Sequence, residues 1–170
     1  MTTNAQQITE FRDVADRLAI REVMDRYALA IDHCDWDIYR DVFSTDAVID
    51  YSDSGGMRAG REATIEWLDA ALSMFAGLHH NMTSHVCEID GDAARAVTYF
   101  IAYQTMADGS GGERMMSIGG FYQDRLVRQD RWRIAERVEY GIWLEGSWPD
   151  GFERPRWYGK AEHHKPALPA

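Results

Sequence analysis

The sequence is poor in cysteine and has no long hydrophobic run. Its two cysteines, Cys34 and Cys87, provide neither a disulfide framework nor the spacing of zinc ligands, so we expect structural thiols in a reducing cytoplasm. No segment approaches the roughly 20 apolar residues that cross a bilayer, and the N-terminus lacks the basic start and apolar run of a secretory signal. These absences predict a cytoplasmic protein without a membrane partner.

Basic residues are also scarce. Lysine and arginine number 18 against 28 acidic residues, giving a formal net charge of −10. Nucleic acids and anionic membranes are bound through basic surfaces, so neither is an expected partner. Hydrophobic residues make up 45% of the 170, which is typical of a soluble protein with a real core.

Hydrophobic periodicity predicts helices first and strands afterwards. Apolar residues at three- and four-residue steps indicate a long first helix, through Ile8, Phe11, Ala15 and Leu18 and then Ile20, Met24, Tyr27 and Ile31. Asp35 is a plausible N-cap for a short second helix, and a third helix is expected at about 60–75. Period-two patterns and turn residues predict strands at 47–51, 80–89, 94–107, 114–128 and 132–143.

Helices followed by hairpins are typical of an α+β domain, in which the helices pack on one face of a curved sheet. We assign this domain to residues 1–145. Prolines, charges and isolated aromatic residues after that point predict an irregular C-terminal tail, 146–170, which wraps the surface or a neighbouring subunit.

Four segments, in order, resemble the SnoaL-like branch of the nuclear transport factor 2-like superfamily: 27–32 with Trp36, 46–48, 80–85 leading into 90–92, and 132–138. The similarity runs from about Leu18 to Leu144. It implies a cone-shaped α+β barrel whose N-terminal helices and curved antiparallel or mixed sheet enclose an apolar pocket. Family members such as bile-acid 7-alpha-dehydratase, lindane dehydrochlorinase and, more distantly, scytalone dehydratase eliminate water or HCl with a His–Asp pair and no cofactor.

Carried over to this chain, the resemblance implies a catalytic pair of His80 and Asp32, with Tyr27 and Arg137 as further catalytic residues. Ser84 stands where the family often has asparagine, so substrate contacts are expected to differ there. The resemblance also implies a homodimer or homotrimer, a small hydrophobic cyclic substrate such as a sterol, polyketide or aromatic compound, and no metal or organic cofactor.

The chemistry of the pair agrees with this implication. A neutral imidazole is a good base near neutral pH, and a carboxylate on its other nitrogen fixes the tautomer and stabilises the imidazolium. Strand alternation places His80 with Leu78, Met82 and Val86 on the apolar face and His79 on the other. A hydrogen-bonded core histidine without a catalytic role is the competing interpretation.

The catalytic roles of Tyr27 and Arg137 depend on the geometry of the helix and the strand that carry them. On a regular helix Tyr27 and Asp32 lie about 140° apart, so they share a pocket only if the helix ends near Asp32. Arg137 has the opposite parity to Trp132 and Ile134, so either a bulge re-aims it, or the strand buries both faces, or it lies on the surface. We expect it inside, where it would bind an anionic leaving group or carboxylate.

The residues expected to contact substrate are Ser84, Tyr51, Tyr99, Met116, Phe121 and Trp143. Together these features predict a lyase or isomerase that abstracts a proton. A non-catalytic ligand carrier or assembly subunit, such as the small subunit of ring-hydroxylating dioxygenases, is the alternative on the same fold. A metal-dependent hydrolase using His79, His80 and His85 is less favoured, because His80 and His85 would leave opposite faces of one strand.

Overall fold

Three α-helices and six β-strands follow one another along residues 4–150, the part of the chain that the computed structural model describes. The helices are α1 (Asn4–Asp32), α2 (Trp36–Val42) and α3 (Arg61–Leu72). The strands are β1 (Phe43–Asp50), β2 (Arg58–Gly60), β3 (Gly77–Asp90), β4 (Ala93–Ala107), β5 (Glu113–Arg128) and β6 (Trp132–Gly146). From residue 151 on, the predicted tail lies outside the described residues, so its extent stays a prediction.

The strands form one mixed sheet in the order β2-β1-β6-β5-β4-β3. Neighbouring strands are antiparallel except β1 and β6, which are parallel. The three long hairpin-connected strands β4, β5 and β6 and the edge strand β3 form the larger part of the sheet, and α1 packs against β3 and β6. This is the α+β class that the sequence predicts.

The end of α1 and the start of α2 are fixed by local hydrogen bonds. The amide of Asp35 donates to Ala30 and that of Cys34 to Ile31, the two bonds of a Schellman motif, and Cys34 takes the left-handed conformation with φ of 50°. The Asp35 carboxylate then accepts the amides of Asp37 and Ile38 at the start of α2, as the sequence predicts. As a result, α1 stops at Asp32.

The apolar residues of α1 differ in burial along the helix. Ile20, Met24 and Ile31 are in the core, whereas Phe11 and Leu18 are exposed. Burial begins at Asp16, where the helix reaches the sheet, and Leu18 lies beyond that point on the face turned to solvent. Periodicity therefore predicted the helix correctly but does not distinguish its covered half from its exposed half.

Besides a register irregularity in β1 between Phe43 and Val48, the described sheet has three one-residue bulges, which change which residues face the helices. Each adds one residue to a strand: between Met82 and His85 in β3, at Ala135 in β6, and at Ile142 in β6. Beyond each extra residue the pairing shifts by one, so residues an odd number of positions apart on either side of the bulge face the same side of the sheet.

In the described residues, no helix is long and apolar enough to span a bilayer.

Candidate active site

A cavity of about 440 Å³ lies between the helices and the inner face of the sheet. Its size falls within the range of small-molecule sites. Most of its wall is apolar, formed by Ile31, Trp67, Leu68, Leu72, Phe75, Phe100, Ala102, Met116 and Ile118. The polar side chains on the wall include those of His80, Gln104, Glu139, Ser54 and three tyrosines. The cavity therefore suits a largely apolar molecule with a few polar groups.

His80 and Asp32 are in direct contact beside this cavity. Nδ1 of His80 lies 2.7 Å from Oδ1 of Asp32, and the backbone amide of His80 donates to both carboxylate oxygens at 3.0 Å. The His80 side chain is 7% exposed, whereas that of His79 is 67% exposed and its Nδ1 is 3.9 Å from Asp32. The structure thus brings together the two residues that the sequence pairs and places His79 outside, as strand alternation predicts.

The position of β3 at the sheet edge explains the amide contact. An edge strand has amides that do not pair within the sheet, and the end of α1 delivers Asp32 to one of them. Arg21, three turns earlier on α1, donates to the backbone carbonyls of Met82 and Thr83 at the β3 bulge. The helix end and the strand are therefore held together at two points around His80.

The electrostatics of Asp32 follow from these contacts. Burial opposes its charge, but the side-chain and backbone hydrogen bonds from His80 outweigh this effect, so the pKa of the carboxyl lies below its ordinary value. Asp32 is thus ionised at neutral pH, so it accepts a hydrogen bond from the protonated Nδ1. His80 then presents its other nitrogen, Nε2, on the side away from Asp32.

Tyr27, Tyr39, Tyr51 and Tyr122 form a buried cluster, named the tyrosine cluster below. The hydroxyl of Tyr27 is 3.0 Å from that of Tyr51 and donates to that of Tyr122 at 3.4 Å, while Tyr39 lies behind, with its hydroxyl 3.5 Å from that of Tyr51. Burial raises the pKa of all four phenols. Three of them, all but Tyr39, line the cavity as protonated hydroxyl groups.

Arg137 points inside, as expected, and the bulge at Ala135 is the reason. Its side chain is fully buried, donating from Nε and Nη2 to Asp124 at 2.8 Å, and its guanidinium lies about 4 Å from the ring centres of Tyr27 and Tyr122. Arg137 is not among the described residues that line the cavity. Its bidentate ion pair is with the protein's own carboxylate, behind the tyrosines.

Two cavity residues escaped sequence reasoning. Glu139 lies two residues after Arg137 on the same face of β6, and its Oε1 accepts a hydrogen bond from the hydroxyl of Ser54. Burial raises the pKa of Glu139 to about 7; the nearby Asp53 adds to this rise, while Ser54 and Arg137 oppose it. Once Arg137 was expected inside, strand alternation could have found Glu139.

Gln104 on β4 is the second. It is 8% exposed, lines the cavity, and its buried Oε1 has no hydrogen-bond partner among the described residues. Buried polar atoms are nearly always paired, so this amide is available to a bound molecule. The sequence could have indicated Gln104, because it stands at two-residue spacing from Phe100 and Ala102 on β4 and so shares their face of the strand.

The comparison with known proteins decides the family. A SnoaL-like domain model matches residues 12–138, three quarters of the chain. The chain belongs to the SnoaL-like family. The uncharacterized protein Rv2910c of Mycobacterium tuberculosis is 32% identical over 128 residues, which are 75% of this chain and 86% of that protein.

Two solved structures show the same fold. A Novosphingobium aromaticivorans protein assigned to the aromatic ring hydroxylases is 27% identical, with a TM-score of 0.71, covering 79% of this chain and 94% of the other. Hexachlorocyclohexane dehydrochlorinase LinA-type3 from Novosphingobium barchaimii is 15% identical, with a TM-score of 0.70, covering 86% and 99%. The nuclear transport factor 2-like, cone-shaped α+β architecture implied by the sequence resemblance is thereby confirmed.

Within this SnoaL-like domain the predicted substrate contacts divide into two groups. Tyr51 and Met116 line the cavity. Ser84, Tyr99, Phe121 and Trp143 do not line it, which corrects their expected placement. Tyr99 and Phe121 alternate with the inward residues Phe100 and Tyr122, and their rings pack on each other outside. Bulges account for the other two: Ser84 is exposed at the β3 bulge, and the bulge at Ile142 turns Trp143 against Gly119 on the outer face.

The β3 bulge also corrects the expectation for His85. His85 pairs with Thr98 and shares the inner face with His80, rather than leaving the opposite face. Its Nδ1 is 2.8 Å from the hydroxyl of Thr98, and burial lowers its pKa. Within residues 4–150 no group of three histidine, cysteine or acidic side chains is arranged to hold a metal ion.

Proposed function

We propose that this SnoaL-like protein is a cofactor-independent lyase or isomerase that removes a proton from a small hydrophobic cyclic substrate. The observation that carries the proposal is the 2.7 Å contact between His80 Nδ1 and Asp32 at the wall of an apolar cavity. A base, its orienting carboxylate and a binding space of suitable size are then present in one place.

His80 is the base in this proposal. Because the ionised Asp32 accepts a hydrogen bond from Nδ1–H, Nε2 carries the free lone pair, and the His80 side chain lines the cavity. When Nε2 takes a proton from carbon, the imidazole becomes positive, and the adjacent carboxylate stabilises that charge. Asp32 is therefore both the orienting group and the counter-charge.

The tyrosine cluster is the source of stabilisation for negative charge on the substrate. The cavity-lining hydroxyls of Tyr27, Tyr51 and Tyr122 stay protonated, since burial raises their pKa. Donors fixed in a low-dielectric site are more effective than water at stabilising an oxyanion or enolate. Arg137, held by Asp124 behind the rings, positions the tyrosines electrostatically rather than touching substrate.

The stability of α1 does not explain why an aspartate, Asp32, stands at its C-terminal end. A carboxylate in the last turn of a helix faces the negative end of the helix dipole, which costs roughly 0.3–1 kcal/mol, and α1 has no basic residue in that turn to offset it. The position is unfavourable for the helix but brings the carboxylate to His80. This supports a role in the site.

The test uses elimination of water from 3-hydroxycyclohexanone, a small cyclic compound with an acidic C–H beside a carbonyl. We expect the wild-type protein to form the conjugated enone, and His80→Gln and Asp32→Asn to lose at least about 100-fold in kcat/KM. His79→Gln is the matched control, because it changes the neighbouring exposed histidine. A folded His80→Gln protein with wild-type turnover would refute the assignment.

The second candidate function is a non-catalytic ligand carrier or assembly subunit. The observation that favours it is the apolar wall, which binds a hydrophobic molecule whether or not chemistry follows. Equilibrium binding of the product, cyclohex-2-enone, separates the two. A carrier binds it and shows no turnover in wild type or in His80→Gln, whereas the enzyme loses turnover in His80→Gln and keeps binding.

A further inference from the structure

We propose that Glu139 is the general acid of this cavity and that the group leaving the substrate is therefore an oxygen, released as water or an alcohol, rather than a halide. The inference rests on the proposed function, since it assumes that His80 removes the proton. It adds a second catalytic residue and a class of leaving group. Halides leave as stable anions, whereas a hydroxyl leaves readily only when it is protonated.

The sheet places the acid and the base on different walls. His80 is on β3 and Glu139 on β6, with β4 and β5 between them. Three strand spacings amount to about 14 Å on a flat sheet, and an offset of four residues in the register, from Ile118 to Tyr122 on β5, adds about 13 Å along the strands. The curvature of a cone brings the two walls nearer. Both side chains line the same cavity, so a cyclic substrate bound there has the base on one side and the carboxyl on another.

Glu139 has no cationic partner among the described residues that would hold its carboxylate in the ionised form. No arginine, lysine or histidine of the described residues lies within ion-pair distance of its carboxylate, and only Oε1 is occupied there, by the hydroxyl of Ser54. The nearest arginine on its strand, Arg137, gives Nε and Nη2 to Asp124. The second oxygen, Oε2, is thus left for a molecule in the cavity.

The surroundings favour the protonated acid. The groups that face Glu139 are Ser54 and Asp53 from the turn after β1, Arg137 from its own strand, and the tyrosine cluster from α1, α2, β5 and the end of β1. Burial is the largest effect and Asp53 acts in the same direction, so the pKa of Glu139 rises to about 7. A carboxyl with this pKa can donate and regain a proton at neutral pH.

The proposed step balances as follows. His80 Nε2 takes the proton from carbon, the C–H electron pair becomes the new C=C bond, and the C–O bond breaks. Glu139 gives its proton to the departing oxygen, which leaves as water when the group is a hydroxyl. Imidazolium and carboxylate remain, and the site resets when His80 loses a proton to solvent and Glu139 gains one.

The experiment compares two probes that differ in the leaving group, 3-hydroxycyclohexanone and 3-chlorocyclohexanone. Glu139→Gln removes the acidic proton but keeps an oxygen that accepts from Ser54. We expect this variant to lose about 100-fold in kcat for the hydroxyl compound and less than about threefold for the chloride. Glu136→Gln is the control, since that side chain is half-exposed on the same strand and pairs with Arg58.

Each outcome has one interpretation. Equal losses on both probes, or no loss on either, overturn the role of Glu139 as the acid. Wild-type rates in His80→Gln, or no enzymatic elimination from either probe by the wild-type protein, overturn the proposed function and this inference with it. Infrared titration of the carboxyl band supplies a readout without turnover: a carboxyl that titrates near neutral pH and is missing in Glu139→Gln supports the proposal, and its absence from the wild-type spectrum overturns it.

Discussion

The stability of this protein should fall between pH 5 and pH 8, because Glu139 must ionise inside the cavity. Burial raises the pKa of this carboxyl from 4.5 to about 7, so the folded protein holds a proton that the unfolded chain has released. The favourable contribution is complete below the unfolded pKa of 4.5 and is lost as the pH rises through 7. Glu139→Gln removes this dependence, since glutamine does not titrate.

The expected size follows from the two pKa values. A difference of about 2.5 between folded and unfolded states corresponds to about 3 kcal/mol when ionisation is complete, of which about 2 kcal/mol is lost between pH 5 and pH 8. Relative to wild type, Glu139→Gln should therefore gain about 2 kcal/mol in unfolding free energy between these pH values. For a domain of this size that is about 4–8 °C in Tm.

Urea denaturation of wild type, Glu139→Gln and Glu136→Gln at both pH values measures the effect. All other titrating groups are common to the wild-type protein and the variant, so they cancel in the difference. Glu136→Gln should show no comparable pH-dependent gain, because that carboxylate is half-exposed and pairs with arginines in both directions along the sheet. The same stability difference between Glu139→Gln and wild type at pH 5 and pH 8 would refute the reasoning.

Two further predictions concern the sheet itself. Arg137→Met leaves Asp124 buried and unpaired and should cost about 3–5 kcal/mol in urea unfolding, most of which Asp124→Leu in the same chain restores; a loss below about 1 kcal/mol in the single variant would contradict this. Gly120→Ala places Cβ 2.2 Å from a backbone carbonyl oxygen of β6, so it should cost about 2 kcal/mol or more. Gly119→Ala meets only the half-exposed indole of Trp143 and should cost less in the same assay; the reverse order would contradict the assigned close approach.

The fold was largely predictable because its long elements carry strong local patterns. The four predicted strands from residue 80 onward match β3 to β6 closely, and the first helix ends at Asp32, the condition set for Tyr27 and Asp32 to share a pocket. Two features are not encoded locally. The three residues of β2 are too few for a pattern, and the parallel pairing of β1 with β6 joins segments about 90 residues apart.

Strand alternation predicts the site only where it is followed residue by residue: it puts His80 inside, and it would have put Tyr99 and Phe121 outside, because they alternate with the inward Phe100 and Tyr122. His80 precedes the β3 bulge and was placed correctly, whereas Ser84 lies in that bulge and Trp143 beyond the bulge at Ile142, and both were misplaced. A bulge is set by pairing with the neighbouring strand, which the pattern of one strand does not record. Glu139 could have been found by alternation from Arg137, whose own inward direction depends on the extra residue at Ala135.

The extra residue at Ala135 bears on how the length of such a strand can change in evolution. A one-residue insertion in an unbulged strand slides the register and exchanges the two faces along its whole length. At Ala135 the addition is absorbed within one pair, because Ile134 stays opposite Leu126 and Arg137 opposite Asp124. Length variation is thus uncoupled from orientation at this point, and Ile134 on one side of the extra residue and Arg137 on the other both face the core.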